Sequence, residues 1–236
     1  KKYPKISDPE FVIKNRSYYF KPSVTYSALS GGEFAARICS RGYIFDTKGS
    51  SAFPLKEVSK EQLSSLLNSR VSSNFLKLLA PTLDFSLFAL NKIPIPRNLP
   101  QHASSLAASC LEIAKRDWDA YETSWDFRFH PLVNESAGST HSIASSYATW
   151  VSENRKLIAE MKRLEEENNC LFIDAYDLQG ELAPDVRINQ ITLTVNPDYR
   201  YGGKLGDDEQ WARFRQDTMV ELVSYAIGCM MGRYSL

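Results

Sequence analysis

The spacing of apolar residues changes several times along the chain, and each change marks an element. Between Tyr18 and Phe45 the apolar residues come in short bursts: Tyr18-Tyr19-Phe20, Val24-Thr25-Tyr26, Phe34 to Cys39 and Tyr43 to Phe45. Ser30-Gly31-Gly32 and Ser40-Arg41-Gly42 separate them, so the pattern predicts short strands joined by glycine turns in a small mixed sheet. From Ser59 to Leu79 the period lengthens. Leu63, Leu66, Leu67, Val71, Phe75, Leu78 and Leu79 share one helix face, and Ser59 with Gln62 forms a capping box. Asn68-Ser69 sits mid-run, where short polar side chains compete for backbone groups, and predicts a bend. Pro81 stops the helix, and Ile93 and Ile95 alternate with Pro94 and Pro96 in an extended segment that closes the unit.

After Asn98-Leu99-Pro100, a linker signal, helical spacing returns at Leu106, Cys110, Ile113, Ala114, Trp118 and Tyr121. The aromatic run Trp118 to Phe129 reads as packing material, His130-Pro131 ends it, and Asn134 to Thr140 reads as a mobile loop. A long helix follows from about Ser142 to Leu178. Trp150, Leu157, Leu164 and Leu171 recur every seven residues, interleaved with Asn154, Met161 and Asn168, which makes a coiled-coil-like seam with polar interruptions that packs inside the protein. Gln179-Gly180 is its expected C-terminal cap. Ile191 to Val195 alternates as a strand, and Asp207-Asp208 caps a last helix built on Trp211, Phe214, Thr218, Leu222 and Ala226. The fold class is α+β: a small mixed α/β domain over residues 1–98, then a mainly helical domain over 99–236 with one long coiled-coil-like helix.

Composition adds one fact that the pattern hides. The 236 residues carry no net charge, yet residues 1–100 hold 15 Lys+Arg against 7 Asp+Glu and the remainder hold 13 against 21. A basic half beside an acidic half places any polyanion contact in the first half. Cys39, Cys110, Cys170 and Cys229 are scattered without a CxxC and read as reduced thiols of a cytosolic protein. No apolar run approaches a membrane span and no signal-peptide pattern opens the chain, so a cytoplasmic location without membrane contact is expected. The first residue, Lys1, fits a fragment of a longer protein.

The candidate chemistry lies in the basic half. The loop Asp46 to Ser51 sets Lys48, Gly49 and two hydroxyls between Phe45 and Phe53, and backbone N–H groups exposed at its glycine suit a phosphate or a base edge. It lacks the P-loop spacing and also fits an ordinary turn between two strands. His102, His130 and His141 are too dispersed for a metal site.

Several words of the sequence resemble a known family. Tyr26 to Phe34, Gly42 to Phe53, Asp117 to Phe127 and Ser224 to Leu236 look like the PglX family, adenine-specific DNA methyltransferases of bacteriophage-exclusion (BREX) systems. The helix carrying Leu67-Asn68-Ser69, the turn Pro81-Thr82-Leu83 and the run Lys92 to Pro96 resemble the end of a target recognition domain, and Phe172 to Leu178 resembles the spacer helix that follows one. The resemblance implies a C-terminal fragment that reads double-stranded DNA. Its partners would be the catalytic domain of the full-length chain and possible further defence-system proteins. S-adenosylmethionine would serve the full-length enzyme and no cofactor this fragment. Asn196-Pro197-Asp198-Tyr199 resembles the family's Asn-Pro-Pro-Tyr motif but has Asp in place of the second Pro and no glycine-rich cofactor motif upstream, so the fragment is expected to be catalytically silent. Arg37, Arg41, Lys48 and Arg70 are the expected phosphate contacts, and Tyr26, Ser50 and Ser51 the residues expected to approach bases. The alternative is a protein-interaction scaffold of the same defence system with little DNA contact; an autonomous methyltransferase rests on Asn196 to Tyr199 alone.

Overall fold

The computed structural model describes residues 15–29, 32–54, 57–80, 84–133, 142–202 and 205–234. The expected turn at Ser30-Gly31, the helix stop at Pro81, the loop Asn134 to Thr140 and His141 lie outside the described residues. The chain divides into two compact units, residues 1–99 and 100–236. The architecture is α+β, with a small antiparallel sheet, mostly helical content and one long helix.

The first unit holds strands β1 (Ser23–Ser27), β2 (Ala36–Cys39) and β3 (Gly49–Ala52), antiparallel in the order β2-β1-β3. Thr25 lies opposite both Arg37 and Ser51, and Tyr26 opposite both Ala36 and Ser50. Because side chains alternate across a strand, this register sends Val24, Tyr26, Ala36 and Ser50 to one face and Thr25, Arg37 and Ser51 to the other. The first face is covered by α1 (Lys60–Leu67), α2 (Arg70–Leu79) and the short α3 (Leu87–Leu90). There Val24, Tyr26, Phe34, Leu67, Leu76 and Phe85 form one buried cluster, with the Phe34 ring 5.4 Å from Tyr26 and 5.2 Å from Phe85.

The expected bend between the two helical runs is a full break. Ser59 and Gln62 make the capping box that starts α1. At the break, Ser69 Oγ accepts from the Ser72 N–H at 3.2 Å and donates to the Leu66 carbonyl at 2.7 Å, so one buried hydroxyl starts α2 and satisfies the end of α1. The break also rotates the apolar face: Leu76 takes a core position, while Leu78 is 79% exposed. Asn68 reaches across to β2, accepting the Ala36 N–H at 2.8 Å and donating to the Ala36 carbonyl at 2.9 Å.

In the first unit two expected strands are absent among the described residues and one was not foreseen. Tyr43 to Phe45 pairs with no strand; its backbone bonds instead to Phe20, whose N–H donates to the Tyr43 carbonyl at 3.0 Å. The segment Tyr18 to Phe20 is the end of a 3-10 turn, Arg16–Tyr18, and a left-handed residue, Phe20 at φ 62°. The third strand comes from the expected loop. Asp46 accepts the N–H groups of Lys48 and Gly49 and so tightens the turn that brings Gly49 opposite Ser27.

In the second unit, α4 (His102–Asp119) packs along α5 (Ile143–Ala175), and α6 (Pro197–Tyr201) precedes α7 (Asp207–Met230). The heptad seam of α5 faces inward: Asn154, Met161, Leu164 and Asn168 are buried, and Trp150 stacks on Phe214 of α7 at 5.3 Å. The C-cap of α5 is Tyr176, followed by the left-handed Asp177 at φ 61°, three residues before the expected Gly180. The Leu178 N–H then closes onto the Ile173 carbonyl at 3.0 Å. Gly206, not Asp207, is the N-cap of α7; Asp207, Asp208 and Glu209 fill its first turn, where the helix dipole favours them. Beyond Thr218 the buried face of α7 moves to Tyr225 and Cys229, leaving Ala226 exposed. Nor is the run Trp118 to Phe129 all packing material, since Trp118 is 54% and Trp125 98% exposed.

Ile191 to Val195 forms no strand. Its alternation is real, for Ile191, Leu193 and Val195 are all buried, but no neighbouring strand supplies backbone partners among the described residues. Asp117 supplies them. Its carboxylate, buried in the body of α4, accepts the Thr194 N–H at 2.7 Å and the Val195 N–H at 2.9 Å. Burial pushes the Asp117 pKa up, opposed by these two bonds and by the Arg200 charge. Arg200 is itself held by Glu221 at 2.9 Å and Asp217 at 3.4 Å.

Two stability tests follow from this unit. Asp117→Ala strands two N–H groups in the core and is expected to cost about 2–4 kcal/mol in urea denaturation, with Asp117→Asn losing less because its carbonyl oxygen still accepts. His130 is buried, and burial holds its pKa down at about 4 against an ordinary 6.5. The unfolded chain therefore binds the extra proton between those values, and the histidine's contribution is present above pH 6.5 and lost as pH falls towards 4. Glu165, raised to about 7 by burial and by Glu166, acts with the opposite sign in the same range. The histidine is isolated by difference: His130→Gln should narrow the gap between melting temperatures at pH 7 and pH 5 by the equivalent of up to about 2 kcal/mol.

Candidate nucleic-acid interface

The face of the sheet that the helices leave open is polar by register. Down the middle run Ser23, Thr25 and Ser27 of β1, with Ser23 buried at 3% exposed and Ser27 exposed, flanked by Arg37 and Cys39 of β2 and by Gly49 and Ser51 of β3. Cross-strand bonds hold the hydroxyls in place: Ser23 Oγ donates to Ser51 Oγ at 3.2 Å, and Thr25 Oγ1 to the Ser50 carbonyl at 3.0 Å. The segment Tyr43 to Lys48 rises along one rim and deepens the face into an open concavity of about 630 Å³. Lys21 and Lys48 line it, Arg37 projects from the same face, and Arg41 stands in the turn after β2. Among the described residues none of these four cations is paired with a carboxylate.

The residues expected to touch DNA separate into two groups. Arg37, Arg41, Lys48 and Ser51 lie on or beside the open face. Tyr26 and Ser50, expected to approach bases, are the correction: both sit on the covered face, 2% and 7% exposed, because each is one residue out of phase with its outward neighbour Thr25 or Ser51. Arg70 opens α2, in the helical layer on the other side of the sheet. The glycine loop also differs from expectation, since the Lys48 and Gly49 N–H groups that suited a phosphate are taken by Asp46, whose pKa they hold low. Sequence reasoning missed the hydroxyl row Ser23, Thr25 and Ser27 and the rim residues Tyr43 and Ile44; polar residues alternating with Val24 and Tyr26 were the signal for the former.

Elsewhere the candidate motifs are occupied structurally. Asn196 is 1% exposed and caps α6: its amide donates to the carbonyls of Ile188 and Ile191, both at 2.8 Å, and its oxygen accepts the Asp198 N–H. His102 pairs with Glu167 at 2.9 Å. Among the described residues no cluster of His, Cys, Asp and Glu could hold a metal ion, and no helix is long and apolar enough to cross a membrane.

An α+β chain whose small sheet turns a hydroxyl and cation face outward is the class that the structure defines. No family model matches it. The chain is 32% identical over 226 residues to the adenine-specific methyltransferase BrxX of Escherichia coli O9:H4 (strain HS), covering 95% of this chain and 18% of that protein. It is 30% identical over 224 residues to the adenine-specific methyltransferase PglX of Lacticaseibacillus casei (strain Zhang), covering 94% and 17%. The resemblance read from the sequence words therefore holds along nearly the whole chain, which spans less than a fifth of the length of these relatives.

Tyr26 provides a check on the face assignment. Its hydroxyl is buried with the Ser50 hydroxyl as its polar neighbour on the covered face, and burial raises its pKa against the effect of Ser50. Tyr26→Phe should leave stability unchanged or slightly higher and DNA affinity unchanged, measured by thermal melting and fluorescence anisotropy. A loss of affinity without a loss of stability would return Tyr26 to the binding surface.

Proposed function

We propose that this chain reads DNA for a site-specific adenine-N6 DNA methyltransferase of a phage-defence system. The observation that carries the proposal is the open sheet face, where pinned hydroxyls lie among cations without carboxylate partners. Phosphates neutralised by lysine and arginine give sequence-independent affinity, and hydroxyls can donate to or accept from base edges. The relatives support the enzyme class by their names. In this reading S-adenosylmethionine binding and catalysis reside in the rest of a longer polypeptide, whose catalytic domain is the principal partner. The fragment itself is silent and works in the cytoplasm on double-stranded DNA. The commitment of the Asn196 amide to backbone carbonyls supports that silence.

A second reading, an interaction scaffold for other defence-system proteins, draws on α7. Val220, Val223, Ile227 and Met230 follow heptad spacing and are all more than half exposed, which suits a partner helix.

The two readings part on salt dependence. Replacing Arg37, Arg41 and Lys48 together by Ala should weaken binding to every duplex and flatten the plot of log affinity against log salt by about three, one unit per phosphate contact. Arg70→Ala, on the helical layer, is the control and should leave the slope as it is. A triple variant that matches the wild-type slope and affinity would remove the DNA reading and leave the scaffold.

A further inference from the structure

We propose that Phe20, Tyr43 and Ile44 form a rigid apolar knuckle that makes the base contacts of this face, against thymine methyl groups and exposed base edges of duplex DNA. The inference rests on the DNA-reading proposal and adds an apolar sequence-reading element beside the hydroxyls of the open face, where the inward-facing Tyr26 and Ser50 supply none.

Three large apolar side chains stand in water here, Phe20 at 56%, Tyr43 at 58% and Ile44 at 57% exposed. They are held together by backbone: the Phe20 N–H donates to the Tyr43 carbonyl at 3.0 Å, and the Gly42 N–H donates back to the Phe20 carbonyl at 3.3 Å. Gly42 has φ 102°, a conformation that glycine adopts freely, and permits the turn. Phe20 has φ 62°, where an aromatic side chain crowds its own backbone. The described residues contain two other non-glycine positions of this kind, Asn15 and Asp177, and both are residue types that tolerate it. A bulky residue kept in a strained conformation, with its ring exposed, gains nothing for the fold. Strain of that sort collects where a surface is shaped for a ligand. The knuckle is also buttressed, since Tyr19 contacts both Phe20 and Phe45, and Phe45 contacts Phe53, with ring centroids 5.5–6.3 Å apart.

Charge identifies the occupant. Tyr43 and Ile44 line the same concavity as Thr25, Ser51, Lys21 and Lys48, so the apolar rim stands among cations and hydroxyls. Asp46, the carboxylate of that rim, is turned onto the N–H groups of Lys48 and Gly49. Even with Leu29, which lines the same concavity and is 60% exposed, these side chains are too few for a protein–protein interface, which covers about 800 Å² a side. Among cations they suit a polyanion with apolar edges inside it, which is what the grooves of DNA present. Phosphates would then be met by Lys21, Arg37, Arg41 and Lys48, polar base edges by the hydroxyls, and thymine methyl groups and the apolar parts of base edges by the knuckle.

The test is selection from a randomised duplex library, sequenced after binding to the whole 236-residue chain and to its variants. The double variant Tyr43→Ser/Ile44→Ser should keep total DNA binding and the wild-type salt slope but lose the enriched sequence, with selectivity falling about tenfold. Phe20→Asn, which keeps the left-handed backbone with less strain, should melt no lower than wild type and lose selectivity too. Since all three side chains are exposed, circular dichroism and melting are expected to report intact folds. Wild-type enrichment persisting in the double variant would overturn the knuckle and spare the DNA reading. Absence of salt-dependent binding in the wild-type chain would overturn both.

Discussion

A three-stranded sheet with helices on one side only must divide its residues strictly in two. In the first unit β1 carries that division, since it pairs with both neighbours and fixes the register of each. Val24 and Tyr26, under 3% exposed, anchor the covered face, and every other residue of the sheet is assigned by counting from them. The hydroxyl row outside is the other side of the same constraint. A slip of one residue would bury Thr25 and Arg37 and expose Tyr26, so the apolar cluster of Tyr26, Phe34 and Phe85 protects the polar face as well as the core.

The second unit meets a different demand. Residues 182–196 run without regular pairing except for one 3-10 turn and bury Val186, Ile191, Leu193 and Val195, and buried backbone needs partners. Side chains provide several: Asn169 donates to the Pro184 carbonyl, Glu166 accepts the Val186 N–H, Asp117 takes those of Thr194 and Val195, and Asn196 donates to the Ile188 and Ile191 carbonyls. Polar residues spaced along α4 and α5 thus act as the strand that the segment lacks. This gives Asn169 and Glu166 of α5 a structural use.

The sequence displayed periods well and partners poorly. Helices whose caps and faces are local were legible, as at Ser59 with Gln62 and along the seam from Trp150 to Leu171. The strand expected at Ile191 to Val195 failed although its alternation was right, because alternation reports which side chains are buried and not what the backbone bonds to. The loop at Asp46 failed in the opposite sense: a carboxylate two and three residues before the N–H groups it accepts turned an apparent anion site into a tight turn leading into β3. Of the candidate site, charge distribution pointed to the basic half, in which Arg37, Arg41 and Lys48 lie on or beside the open face, while Lys21 went unnamed and Arg70 lies in the helical layer. Tyr26 and Ser50 were misplaced because the phase of β1 and β3 depends on pairing across 24 residues, which no short word contains.

Asn68 has an effect that reaches past its own helix break. Its amide offers β2 one acceptor and one donor at Ala36, the pair that the backbone of a further strand would offer. The β2 margin is thereby occupied at that rung by a side chain, and a passing extended peptide finds no free N–H or carbonyl there. So small a sheet, with its hydroxyl face wet, would otherwise be open to recruitment into intermolecular β-structure. A single asparagine at a helix end closes that rung of the margin and helps keep the sheet at three strands.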